Sequence, residues 1–283
     1  MTKKLWGTRF AKATNLLTDR FTSSIAYDKR LAKVDVIGSI AHARMLGKTR
    51  IIPKKDADAI VRGLQAILKD IESGKFKFDP AAEDVHSNIQ DLLQKKIGKA
   101  AFRLHTARSR NDQIALDIRM YLRDETDDLI ELITLLQKSI LKFARQNMQV
   151  IIPGYTHLQV AQCVLLAHHV LAYVEGLERD KERLSDAYAR IDRLPLGSCA
   201  LSGTGLPIDR EFVCKELGFA AVTDNSMDSV SDRDFIIEVL ADLSILSVHL
   251  SRAAEDLILW STKEFNFIDI DFSFCTGSSI MPH

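Results

Sequence analysis

No two cysteines in the 283-residue sequence stand in a C-x-x-C spacing; Cys163, Cys199, Cys214 and Cys275 are scattered. Scatter of that kind excludes a disulfide framework or a zinc ribbon and fits reduced thiols in the cytoplasm, with no metal or other cofactor expected. Net charge is missing as well. Lys+Arg and Asp+Glu each number 38, so no long-range field draws nucleic acid or anionic lipid, and an anionic ligand has to be held by local arginines. No segment stays apolar for the length a bilayer requires, and Met1-Thr2-Lys3-Lys4-Leu5-Trp6 lacks the apolar run of a signal peptide. What remains is a globular, cytoplasmic chain whose 46% hydrophobic and 27% charged content can bury a substantial core.

Glycine and proline are absent from two long stretches, between Gly98 and Pro153 and between Gly218 and Gly277. Without these breakers, unusually long helices can form. Ile114, Ile118, Tyr121, Leu122, Leu129, Leu132, Ile133, Leu136 and Ile140 recur at three and four, as one buried helical stripe requires. That helix covers about 40 residues, on the order of 60 Å. A second is expected from about Val160 to Arg193 and a third from about Ser231 to Lys263. Strand-like alternation is scarce. The expected fold is therefore all-α, with an N-terminal helical domain over residues 1–107 and a long-helix bundle over residues 108–283, incomplete at its C-terminus. Helices this long, one of them apolar around much of its circumference, predict association between subunits. No period of 30 to 50 residues marks a helical repeat array.

Four segments hold more side chains of catalytic type than connectors usually carry. Glu83-Asp84-Val85-His86-Ser87-Asn88 reads first as an acidic helical turn at the positive end of a helix dipole. Thr106-Ala107-Arg108-Ser109-Arg110-Asn111-Asp112-Gln113 opens the longest helix. Ser109 or Asn111 could simply cap it, yet two arginines beside hydroxyl and amide groups also suit a carboxylate or phosphate. Pro153-Gly154-Tyr155-Thr156-His157-Leu158-Gln159 precedes another expected long helix, placing His157 at a helix N-terminus that favours its neutral form; structural and proton-transfer roles are both open. Asn225 to Asp234 opens the third helix with several possible caps and Arg233. His168 and His169, inside an apolar helical run, read as packing or interhelical hydrogen-bonding residues.

Taken together, these segments resemble the argininosuccinate lyases of the fumarase/aspartase superfamily. The resemblance runs through Leu5-Trp6-Gly7-Thr8-Arg9-Phe10, Phe21 to Asp28, Glu83 to His86, Thr106 to Gln113, Pro153 to Gln159, Asn225 to Phe235 and Gly277-Ser278-Ser279-Ile280-Met281-Pro282. Fumarase and aspartase share the last block; the Ser-Arg-Asn-Asp-Gln and Gly-Tyr-Thr-His-Leu-Gln pair points to argininosuccinate lyase.

The resemblance implies reversible, cofactor-free cleavage of argininosuccinate to arginine and fumarate in arginine biosynthesis. By motif matching it makes Ser278 the base and His157 the group assisting nitrogen departure. It makes Ser24, Asp28, Ser109, Arg110, Asn111, Thr156 and Arg233 substrate-binding residues, with His86 near the site. It also implies a homotetramer whose active sites are shared between subunits. Departures from the pattern are Ala107, Val160 and Cys163. A larger one is the absence after His283 of a lysine, an asparagine, an acidic residue and further helices, which makes the chain alone an expected inactive fragment. Two other readings are a different lyase of the superfamily and a non-catalytic, crystallin-like structural protein. Fumarate release from argininosuccinate, beside adenylosuccinate and aspartate, separates them.

Overall fold

The computed structural model describes residues 15–281; the Leu5–Phe10 block and Pro282 lie outside them. Two compact units divide the chain: residues up to Asp124 together with Ala189–Arg233, and Glu125–Tyr188 together with Asp234 onward.

The first unit begins with α1 (Leu16–Thr22) and α2 (Ile25–Asp28), then α3 (Ala32–Lys48), α4 (Lys54–Glu72) and α5 (Val85–Ile97). Ala57, Ile60, Leu64 and Ile67, spaced by three and four on α4, are all buried, as a single core-facing stripe should be. Leu64 and Leu93 are fully enclosed, and each contributes about 1.5–3 kcal/mol through its burial. The approach of α5 to α4 depends on Gly63, where a Cβ would stand 2.6 Å from Leu93 Cδ1. The start of α6 (Arg110–Gln146, 37 residues) adds Leu116 and Met120 to this core. At the standard rise α6 is roughly 55 Å long.

The chain returns to the first unit with β3 (Arg193–Leu194), α8 (Arg210–Glu216), β4 (Ala221–Val222) and α9 (Ser226–Ser231). β3 and β4 pair in parallel. The Arg210 guanidinium fixes this return, donating to the carbonyls of Leu194, Leu196 and Thr223.

In the second unit the remainder of α6 is joined by β1 (Ile151–Thr156), β2 (Gln159–Leu165), α7 (Leu166–Ile191) and α10 (Asp234–Ser261). Ile133, Leu177, Leu184 and Leu246 form one apolar cluster; Ala144, Ile152, Leu166, Val170 and Trp260 form another. His169 Nε2 lies 3.1 Å from both Tyr173 Oη and Asp256 Oδ2, the interhelical role expected of it, whereas His168 is exposed.

The helical architecture and the long α6 agree with the sequence. Two helix boundaries do not. The helix expected from Val160 starts at Leu166, because residues 159–165 pair as a strand with residues 151–156. The helix expected from about Ser231 begins three residues later, as α10 at Asp234: the short α9 ends at Ser231, and Asp232 at φ −57, ψ 129 separates the two.

Candidate functional site

In the first unit the start of α6 faces the start of α5. Ser109 is the N-cap of α6. Its Oγ accepts from Asn111 N at 3.3 Å while its own N–H donates to Asp112 Oδ1 at 2.9 Å, a reciprocal cap. The first side chain of that helix, Arg110, reaches Asp84 with Nε 3.1 Å from Oδ2 and Nη2 3.3 Å from Oδ1, and Nη2 also donates to Ser87 Oγ at 3.2 Å. Asp84 is itself the N-cap of α5, accepting from Ser87 N at 2.7 Å. Arg110 Nη1 is buried with no hydrogen-bond partner, a donor held ready for a further anion. Asn111 is exposed, and its Nδ2 donates to Ala200 O at 2.8 Å.

Ser24 and Asp28 converge on the same helix start. Ser24 Oγ donates to Asp28 Oδ2 at 2.5 Å, that oxygen accepts from Val85 N at 3.2 Å, and Ser24 N donates to the carbonyl of Glu83. Thus Ser24, Asp28 and Arg110 all attach to the Glu83–Ser87 turn, Arg110 through Asp84.

Beneath this turn is a buried acid cluster. Asp35 on α3, His86 on α5 and Asp117 on α6 are 1%, 3% and 1% exposed, and their ligand-type atoms lie within 4.8 Å of one another. His86 Nδ1 is 3.0 Å from Asp35 Oδ1 and 3.7 Å from Asp117 Oδ2, and Gln113 Nε2 donates to Asp35. The trio has the donor chemistry of a divalent-cation site, although Gln113 already occupies the Asp35 oxygen. Burial alone would raise Asp35, but His86, Arg108 and the Gln113 hydrogen bond outweigh it and hold its carboxyl below the ordinary range. Asp117 moves the opposite way: burial first, then the Asp35 carboxylate, push it well above the ordinary range. Neither oxygen of Asp117 meets a donor. A protonated Asp117 beside an ionised Asp35 satisfies both groups. Arg108, the other arginine of the motif, donates to Ser39 Oγ at 2.8 Å and turns inward; burial lowers its pKa.

Arg233 is half-buried, and its Nη1 donates to the carbonyls of Val230 and Asp232. In the second unit, Thr156, His157 and Ser278 are all exposed. His157 and Leu158 form the two-residue turn between β1 and β2, with φ +54° and +59°. His157 is therefore not at a helix N-terminus but in a hairpin turn. Two successive non-glycine residues in the left-handed region carry strain on the order of 1 kcal/mol each, of the kind kept where a side chain must be presented. Ser278 Oγ accepts from the N–H groups of Ile280 and Met281 at 3.3 and 3.0 Å, and such donors favour a serine alkoxide.

A family model described as a lyase matches residues 8–283. The chain belongs to this lyase family. Among curated proteins it is similar to the argininosuccinate lyase of Geotalea daltonii, 60% identical over 279 residues, and to that of Moorella thermoacetica, 53% identical; each match covers 99% of the chain. The chain spans about 61% of the length of the first of these relatives and 60% of the second. Among solved structures it is similar to an EDDS lyase in complex with formate, with a TM-score of 0.81, 28% identity and coverage of 94% of this chain and 52% of the other. A fumarate lyase:delta crystallin from Brucella melitensis bound to cobalt has the same fold at 19% identity, with a TM-score of 0.77 and coverage of 97% and 64%.

For this lyase-family chain the motifs found the Ser24, Asp28, His86 and Ser109–Asn111 positions that gather around α5 and α6. They missed the groups behind them. Asp35 is a lone acid among Val34, Val36 and Ile37, an available signal that periodicity alone treats as a flaw. Asp112 was visible as an acid three positions after a capping serine. The Gly197–Ala200 turn carried no signal beyond its small residues.

Proposed function

We propose that the complete protein is an argininosuccinate lyase, releasing fumarate from argininosuccinate and leaving arginine. The observation that carries this reading is the buried, unpartnered Arg110 Nη1 at the start of α6, in a chain 60% identical to an enzyme of that name. A guanidinium beside the hydroxyl and amide of Ser109 and Asn111 suits one carboxylate of the succinyl group. The reaction removes a proton from the carbon next to a carboxylate; the electrons left there form the fumarate double bond as the C–N bond breaks. Ser278 is the proposed base, its alkoxide favoured by the Ile280 and Met281 N–H groups, and His157 supplies a proton to the departing nitrogen. Ser24, Asp28, Thr156 and Arg233 are the remaining proposed substrate contacts, with His86 held behind them by Asp35.

The proposed assembly is a cytoplasmic homotetramer with shared active sites. Apolar surface supports it: on α6 Leu132 and Leu135 are 61% and 50% exposed, and on α10 Ile237, Leu240 and Val248 are 64%, 57% and 57% exposed. In the second unit an apolar trough of about 520 Å³, lined by residues such as Phe143, Tyr173, Leu257 and Trp260, adds to that surface. No helix among the described residues is long and apolar enough to cross a membrane.

The test is fumarate release, followed by ultraviolet absorbance, from argininosuccinate, adenylosuccinate and aspartate with the complete polypeptide. Release from argininosuccinate alone supports the reading. A folded tetramer that releases fumarate from none of the three refutes it.

A further inference from the structure

The carboxylate of Asp112 is fully enclosed, at 0% exposure, and accepts more hydrogen bonds than a helix cap requires. Oδ1 takes the Ser109 N–H at 2.9 Å, which completes the reciprocal cap of α6. Oδ2 takes two further backbone donors from another part of the chain, Gly197 N at 3.0 Å and Cys199 N at 2.8 Å. The side chain is thus a bridge between the start of α6 and the 197–199 turn.

Other contacts make that turn a fixed anchor. Gly197 and Cys199 have φ of +98° and +56°, so the two N–H groups converge on one oxygen only through left-handed backbone at both residues. Arg210 Nε holds the carbonyl of Leu196 at 3.0 Å, and Ser198 Oγ bonds the buried Ser229 Oγ at 3.0 Å. On the α6 side, Asn111 Nδ2 reaches Ala200 O at 2.8 Å and Cys199 Sγ lies 3.4 Å from Ala107 O. The Cys199 thiol is no competing nucleophile, since burial and then the Asp112 charge push it up to about 11. The segment carrying Ser109, Arg110 and Asn111 is therefore fastened at Ala107, Ser109 and Asn111 to a turn that is itself braced.

We propose that Asp112 is a positioning residue: by tying the start of α6 to the 197–199 turn it sets where Ser109, Arg110 and Asn111 present their donors to the substrate carboxylate. The inference rests on the dicarboxylate-cleaving reading above. Asp112 touches no substrate itself. Its effect passes through the backbone at Ser109 and the origin of the Arg110 side chain, where displacements near 1 Å are enough to lower activity by about a hundredfold.

The experiment compares wild type, Asp112→Asn, Asp112→Glu, Arg110→Lys and Asp112→Asn/Arg110→Lys as complete polypeptides. Fumarate affinity is measured by calorimetry, KM and kcat with argininosuccinate, and the unfolding midpoint alongside. An amide offers one acceptor oxygen and turns its NH2 toward a backbone N–H, so one end of the bridge opens. The expected result is fumarate affinity weakened about tenfold with KM raised in parallel, and little further loss when Arg110→Lys is added, because the two substitutions remove the same contact. Unchanged affinity and KM in a folded but less stable Asp112→Asn protein, or full additivity with Arg110→Lys, would make Asp112 a helix cap only and overturn the proposal. If Asp112→Asn does not fold, Asp112→Glu decides: it keeps the charge but displaces the oxygens, and unchanged fumarate affinity there also overturns it. Wild type that binds fumarate without cleaving argininosuccinate refutes the substrate reading, while the affinity comparison still decides Asp112. Wild type that does neither overturns both.

Discussion

Asp117→Asn should stabilise the protein at neutral pH, although it alters a fully buried polar group. Asp117 is 1% exposed, neither of its oxygens meets a donor, and Asp35 lies beside it as an ionised acceptor. Burial and the Asp35 charge raise its pKa well above 3.8. A raised pKa in an acid means that the folded state holds a proton the unfolded chain releases, so stability falls as pH rises from 3.8 toward the folded value. The slope is about 1.4 kcal/mol per pH unit while that difference lasts. Asparagine removes the titration, and its amide can donate to Asp35 as the protonated carboxyl does. The variant should therefore gain on wild type by about 1.4 kcal/mol per unit across this window, with the advantage levelling off once the folded carboxyl ionises. Urea unfolding followed by far-ultraviolet circular dichroism, at half-unit steps from pH 4 to pH 8, measures the difference. A variant less stable than wild type by an amount independent of pH would refute the shared-proton arrangement.

Four further outcomes are expected. His42 is enclosed with Nε2–H on the carbonyl of Thr106 at 2.9 Å, and burial lowers its pKa to about 3; its neutral form stabilises the fold above pH 6.5 and is progressively penalised below it. His42→Gln should gain on wild type by up to about 1.4 kcal/mol per unit as pH drops from 6.5 toward 3, and parallel stability curves would contradict this. Gly63→Ala should destabilise by roughly 1–3 kcal/mol, since the added methyl meets Leu93 at 2.6 Å; an unchanged melting temperature would mean that α4 and α5 can part freely. In the complete enzyme, His157→Asn and Ser278→Ala should each lower kcat by about two orders of magnitude or more, and near-wild-type turnover removes the residue from its role. Arg110→Lys should raise KM, because a point charge replaces a two-pronged donor; unchanged kinetics would take Arg110 out of the carboxylate clamp.

The length of α6 was legible because breaker-free sequence and a three-four apolar stripe are local properties, whereas the N-terminal part was legible only as a set of shorter helices. The β1–β2 hairpin was not. Val160, Val164 and Leu165 run straight into the apolar face of α7, so a strand followed by a helix reads as one helix, and the pairing that decides the matter comes from residues 151–156. Correcting that boundary changes what holds His157: a strained two-residue turn rather than a helix end. The motif arginine Arg110 was found, but its pairing with Asp84 depends on where α5 and α6 cross. Asp35 and Asp117, on different helices, become a proton-sharing pair only in three dimensions, since the sequence places each as a single acid in an otherwise ordinary helix.

Asp84 gives the site a tenant. Its carboxylate lies against Arg110 and simultaneously caps α5, so an incoming carboxylate meets a guanidinium already neutralised and already desolvated. On the proposed reading the carboxylate takes the unpartnered Nη1 while Asp84 keeps Nε and Nη2 and its helix cap, so one guanidinium bridges two anions. The affinity gained is then that of a second anion on a guanidinium whose charge is already shared, less than a lone ion pair would give, which is what the proposed lyase needs in order to release its dicarboxylate.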